Sequence, residues 1–102
     1  MKNSVNVVEV GDLLRKTLSY LANLAMENHG YTHPFTIVIV SGDGSVKAVR
    51  MEAPGQLISR LFEYFSNPDA LRYPLDFFLS CKDSNPISAR MIDSDGEPTW
   101  IH

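Results

Sequence analysis

Apolar positions fall into four blocks, separated by stretches rich in Gly, Pro, Asn and Asp. The first block has a helical period. Val7, Leu14, Leu18, Leu21 and Ala25 recur on one stripe, and Leu13, Tyr20 and Leu24 widen it. Asn28-His29-Gly30 ends the stripe, Gly30 being free to take the left-handed conformation past a helix end. Two starts compete. Asn6 with Glu9 resembles a capping box, whereas Gly11-Asp12 puts the cap at Asp12 and leaves residues 5 to 10 as a short strand. The spacing predicts a helix from residue 6 or 12 to 28.

The second block changes period. Phe35-Thr-Ile-Val-Ile-Val40 is dense in β-branched residues, as suits a strand buried on both faces. Ser41-Gly42-Asp43-Gly44 is turn chemistry, because Asp-Gly tolerates the positive φ of tight hairpins, and residues 46 to 52 return. This predicts a hairpin over 35 to 52, with Pro34 biasing His33 toward an extended start.

The third block is helical again. Pro54 suits a first turn, and Leu57, Ile58, Leu61, Phe62 and Phe65 form one stripe before Ser66-Asn67-Pro68 stops it, so a helix is expected over 54 to 66. The fourth block is a second hairpin over 75 to 93, with a turn at 82 to 86; residues 97 to 102 are a short edge strand or a tail. The returning strands Val46-Lys-Ala-Val-Arg-Met51 and Ile87-Ser-Ala-Arg-Met-Ile92 are faintly alike, too slightly to establish a duplication.

The expected fold is one α+β domain over residues 1 to 102. It has two layers in α-β-β-α-β-β order: a mainly antiparallel sheet of four strands, or five if the end pairs, packed by two helices. In layout alone this resembles small α/β dimerisation modules of the roadblock type, where an Asp-Gly hairpin also follows a first helix. Those modules usually carry a further strand and a C-terminal helix, for which this chain has little room, and no residue is carried over.

Alternation divides each strand into two faces. Phe35, Ile37 and Ile39 point one way, and Val38 and Val40 the other; Leu75, Phe77, Leu79 and Cys81 share a face opposite Phe78. Two helices covering one face would leave Val38, Val40, Phe78 and Ile92 open, with Val49 and Met51 as further candidates. Three arrangements follow: helices on opposite faces, a homodimer pairing these faces or edges, or a different protein docked there.

Composition narrows the functional classes. The chain has 102 residues, 44% of them hydrophobic, enough for a core without staples. A net charge of −3 with scattered basic residues argues against nucleic-acid binding. The lone Cys81 excludes an intrachain disulfide and fits a reducing compartment. Neither a secretory signal nor a membrane span is apparent, since the longest apolar run is Ile37 to Val40, and a soluble, cytoplasmic protein is expected.

Candidate chemistry is sparse. His29, His33, His102 and Cys81 form no zinc spacing, because Gly30 and Pro34 break any helix shared by His29 and His33. Asp93-Ser94-Asp95-Gly96-Glu97 resembles a calcium loop but is too short for the bidentate Glu. Gly42-Asp43-Gly44 lies between strands and has no helix N-terminus to cradle phosphate. Cys81, on an apolar strand face, is a buried hydrophobe sooner than a nucleophile paired with His33. Asp43, Asp83 and Asp95 sit in turns, where backbone bonding favours acids.

The expectation is therefore a non-enzymatic protein-binding or regulatory module, a homodimer through one sheet face or edge, with no cofactor, metal or membrane association. Its interface candidates are Val38, Val40, Val49, Met51, Phe78, Ile92 and Trp100, the last either folded back as an edge plug or extended to a partner. Two other readings stand beside it. One is an acid–base enzyme using Asp43, Asp83 and His33 at one end of the sheet. The other is a small-ligand sensor with a pocket between the first helix and the sheet.

Overall fold

The computed structural model describes residues 7–53, 56, 71–93 and 95–101, with the backbone alone for residues 7–13. Helix α1 spans Val7–Asn28, so residues 7 to 10 are helical and a short strand there is excluded. Its stripe buries Leu14, Leu18, Leu21 and Ala25. Thr17 is buried on the same side and donates its hydroxyl to the Met91 sulfur at 3.8 Å. Tyr20 leaves the stripe, exposed, and donates to Glu97 Oε2 at 3.3 Å. Past the helix end Gly30 has a φ of 71°, the left-handed turn expected of it.

Five antiparallel strands follow: β1 Phe35–Val40, β2 Val46–Met51, β3 Leu75–Cys81, β4 Ser84–Met91 and β5 Thr99–Ile101. They lie in the order β2-β1-β3-β4-β5. The two hairpins join through their first strands, β1 against β3, and the chain end adds β5 beyond β4. The helix expected over 54–66 falls, apart from Gln56, outside the described residues.

Strand β4 starts earlier than the sequence suggests. Asn85-Pro86 reads as turn, yet the turn is only Lys82-Asp83. The register shifts between Leu79 and Cys81, so Ser80 faces the two residues Asn85 and Pro86. Such a bulge tolerates a proline that has no N–H for the ladder. Tyr31 seals it: the phenol is buried and lies 2.7 Å from the Leu79 carbonyl and 2.9 Å from that of Asn85.

One face of the sheet is the core. Phe35, Ile37 and Ile39 of β1, Val49 and Met51 of β2, Leu75, Phe77 and Leu79 of β3, and Ala89 and Met91 of β4 are buried there with the α1 stripe. The other face is open in part. On β1 the alternation is buried to half-buried, not the two buried faces that its β-branched density suggests. Among the described residues, no helix is long and apolar enough to cross a membrane.

Candidate functional site

The open face carries a row that crosses the whole sheet and is apolar on every strand but β4. Ala48, Val38, Phe78, Ser88 and Ile101 are each directly opposite the next, one from every strand. Phe78 stands at its centre, 46% exposed. Alternation puts it there: Phe77 and Leu79 fill the core, so the residue between them must point away. On one side Val40 and Val46 extend the apolar surface along the β1–β2 ladder. Beside Phe78 lies a shallow groove of about 320 Å³, lined by Val38, Phe78, Ser80, Pro86, Ser88 and Ile101.

Charges on this face are paired. Arg90 grips Asp76 through two bonds, Nε to Oδ1 at 2.7 Å and a terminal nitrogen to Oδ2 at 3.1 Å. The guanidinium holds the Asp76 carboxyl below the usual carboxylate range, and the carboxylate raises Arg90 in turn. Arg50 donates to Glu52 at 3.2 Å on the β2 side.

The expected interface residues separate accordingly. Val38, Val40 and Phe78 come together on the open face. Val49 and Met51 lie on the helix side, 0% and 3% exposed, because they pair with the inward-facing Ile37 and Phe35. Ile92, 67% exposed, is one residue beyond β4 and outside the paired row. Trp100 folds back on the covered face: it pairs with Ala89, is half-buried, and sets its ring edge-on to His29 at 5.3 Å. Val46, Ala48 and Ile101 belong to the open face, and the sequence pattern did not single them out. Only the register could place Val46 and Ala48, since Val46-Lys-Ala lacks an inward–outward alternation.

The sheet edges suit association less. Lys47 takes an inward-facing position on β2 and is exposed there, a charge that blunts an edge strand, and the other edge, β5, has three residues.

The acid–base constellation does not assemble. β1 and β3 run antiparallel, so the turn carrying Asp43 lies at the Val40 end and the turn carrying Asp83 at the opposite end, beside Phe35. A six-residue strand separates them by roughly 17 Å. His33 precedes Phe35 and shares the Asp83 end, its ring on Phe35 at 5.0 Å. Asp43 accepts the Ser45 amide at 2.8 Å, which lowers its carboxyl below the usual range: a turn residue serving its own backbone. Asp93 likewise accepts the amides of Asp95 and Gly96.

The Cys81 thiol serves the backbone as well. It donates to the Thr32 carbonyl at 3.1 Å and accepts the Thr32 amide at 3.4 Å. Among the described residues no three His, Cys, Asp or Glu side chains converge on a metal site.

No protein-family model, curated protein or solved structure matches this chain.

Proposed function

We propose that this protein is a non-enzymatic binding module that pairs with a second copy of itself through the open sheet face. The observation that carries the reading is the row through all five strands, apolar on four of them and centred on the half-exposed Phe78. Contiguous exposed apolar surface of this kind marks an interaction site more often than an idle surface. A knob and a groove lie side by side on it. Phe78 of each copy can enter the groove beside Phe78 of the other, which is the reciprocal fit of a two-fold pair. The Asp76–Arg90 pair already neutralises the charges that such an approach would cover.

The face measures roughly 24 by 20 Å from strand spacing and rise. That flat area, about 480 Å² per copy, is below the ~800 Å² of a standard interface, so association in the micromolar range is expected. The reading includes a second helix over 54 to 66, whose stripe Leu57, Ile58, Leu61, Phe62 and Phe65 suits the covered side, and a reducing, cytoplasmic setting for the free thiol of Cys81.

Light scattering on a sizing column, from low to high micromolar concentration, tests the proposal. The mass should rise toward that of two chains, and Phe78→Asp should hold it at one chain with an unchanged circular dichroism spectrum. A wild-type protein that stays monomeric at several hundred micromolar, or a Phe78→Asp variant that still dimerises, overturns it.

A further inference from the structure

We infer that the hairpins β1–β2 and β3–β4 are two copies of one unit, offset by 40 residues and paired about a two-fold axis. The hairpins match in register. Phe35 opposite Met51 becomes Leu75 opposite Met91; Thr36 opposite Arg50 becomes Asp76 opposite Arg90; Ile37 opposite Val49 becomes Phe77 opposite Ala89; Ile39 opposite Lys47 becomes Leu79 opposite Ile87. Pro34 and Pro74 each stand immediately before the first strand of their hairpin. The faint likeness of the returning strands sharpens once the register is known: Ala-Val-Arg-Met51 aligns with Ser-Ala-Arg-Met91, one residue away from the alignment that the sequence alone suggests.

The halves also meet as the subunits of a symmetric dimer do, residue i touching j wherever j touches i. In the β1–β3 ladder Val38 is opposite Phe78, its own counterpart, which places the axis between them. Ser41 and Cys81 are counterparts, as are Thr32 and Arg72. The Ser41 hydroxyl donates to the Arg72 carbonyl at 3.1 Å and accepts the Arg72 amide. The Cys81 thiol makes the same two bonds to Thr32. Two reciprocal clamps across one seam are what a two-fold axis requires, and a chance likeness of two hairpins does not supply them. The sequence extends the match: the α1 core positions Leu14, Leu18, Leu21 and Ala25 correspond to Pro54, Ile58, Leu61 and Phe65, three of them apolar.

The two faces have fared differently. Counterparts in the core are apolar in both halves, Phe35 with Leu75, Ile37 with Phe77, Val49 with Ala89 and Met51 with Met91. On the open face Arg50 and Arg90 are alike, but the other counterparts differ, Val38 with Phe78, Val40 with Ser80 and Ala48 with Ser88. The core of the unit is held by packing, while the second copy carries the aromatic knob and most of the groove lining.

Interchanging the clamp residues, Ser41→Cys with Cys81→Ser in the full chain, tests the equivalence of the halves without reference to dimerisation. The doubly exchanged protein should melt cooperatively within about 4 °C of wild type. Amide exchange should show the protection of Arg72 and Thr32 trading order, since each amide then meets the other's acceptor. A second variant grafts residues 34–41 onto 74–81, and a third grafts them one position out of register. The in-register graft should fold, and the shifted one, which turns every core side chain outward, should not. Loss of cooperative melting in the exchanged protein, an unchanged protection order, or an in-register graft no better than the shifted one overturns the inference. The mass measured for the open-face proposal is a separate readout, so either can fail alone.

Discussion

Phe77 and Phe78 are adjacent in β3 and stand on opposite sides of the sheet, Phe77 between Ile39 and Ala89 in the core, Phe78 between Val38 and Ser88 on the open face. Equal side chains one residue apart thus isolate the effect of burial. Phe77→Ala is expected to cost about 3–5 kcal/mol, the transfer and cavity terms of a fully buried ring. Phe78→Ala should stay within about 1 kcal/mol of wild type. Urea unfolding at low micromolar protein, where association is weak, measures both. Equal losses would show that Phe78 is covered within its own chain.

Gly42 is required by a close approach. A Cβ there would lie 2.6 Å from the Tyr73 carbonyl oxygen, which belongs to the backbone and cannot swing aside. The Gly42 amide meanwhile donates to the Arg72 carbonyl at 2.7 Å. Gly42→Ala should destabilise by roughly 1–3 kcal/mol, as overpacking does, and should speed amide exchange at Arg72. Gly44 is the contrast: its φ is 93° and a Cβ would meet open space. Gly44→Asn is strained by that φ and not by any contact, and should leave the Arg72 amide untouched. Thermal melts with hydrogen exchange separate the two, and an innocuous Gly42→Ala would refute the strap between the first hairpin turn and residues 71–74.

The strand bounds of β1 and β3 were legible because β-branched and aromatic runs between Pro and Gly have few other readings. The strand order was not, since joining β1 to β3 is a pairing between distant segments that no local period encodes. Alternation gave Val38, Val40 and Phe78, because their neighbours Ile37, Ile39, Phe77 and Leu79 are plainly core residues. It misled at β2, where Val49 and Met51, candidates for the open face, are buried on the helix side opposite Ile37 and Phe35. There the partner's register, not the residue's own character, decides the face. Asn85-Pro86 hid the start of β4 because a bulge, stabilised from afar by Tyr31, overrides turn propensity.

That role of Tyr31 is itself testable. Its hydroxyl is the only polar atom of the ring and sits between the Leu79 and Asn85 carbonyls. Burial raises the phenol above its usual range, so it remains protonated as a donor through neutral and mildly alkaline pH. Tyr31→Phe keeps the edge-on packing against Phe35 at 6.0 Å and removes only the bond. The expected loss is about 1–3 kcal/mol, the cost of leaving a buried acceptor without its partner. Amides of the Lys82-Asp83 turn should exchange faster, and a variant as stable as wild type would show that the bulge holds without the tyrosine.

The Asp76–Arg90 pair gives the open face a signature in acid. Arg90 lowers the folded-state pKa of Asp76, first through its hydrogen bonds and then through its charge. A group whose folded pKa lies below its unfolded value stabilises the fold above that unfolded value, about 3.9 for Asp. The contribution is lost as pH falls through the folded pKa, so the window lies below about pH 4. Arg90 is well exposed, which keeps the contribution small and sensitive to salt. Replacing Arg90 by Gln should move the Asp76 carboxyl titration, followed by carbon NMR, upward toward its ordinary value. The same variant should lose less stability than wild type between pH 5 and pH 2. An Asp76 midpoint that does not move in Arg90→Gln would mean that the bidentate contact does not persist in solution, and that the open face presents two separate charges to whatever approaches it.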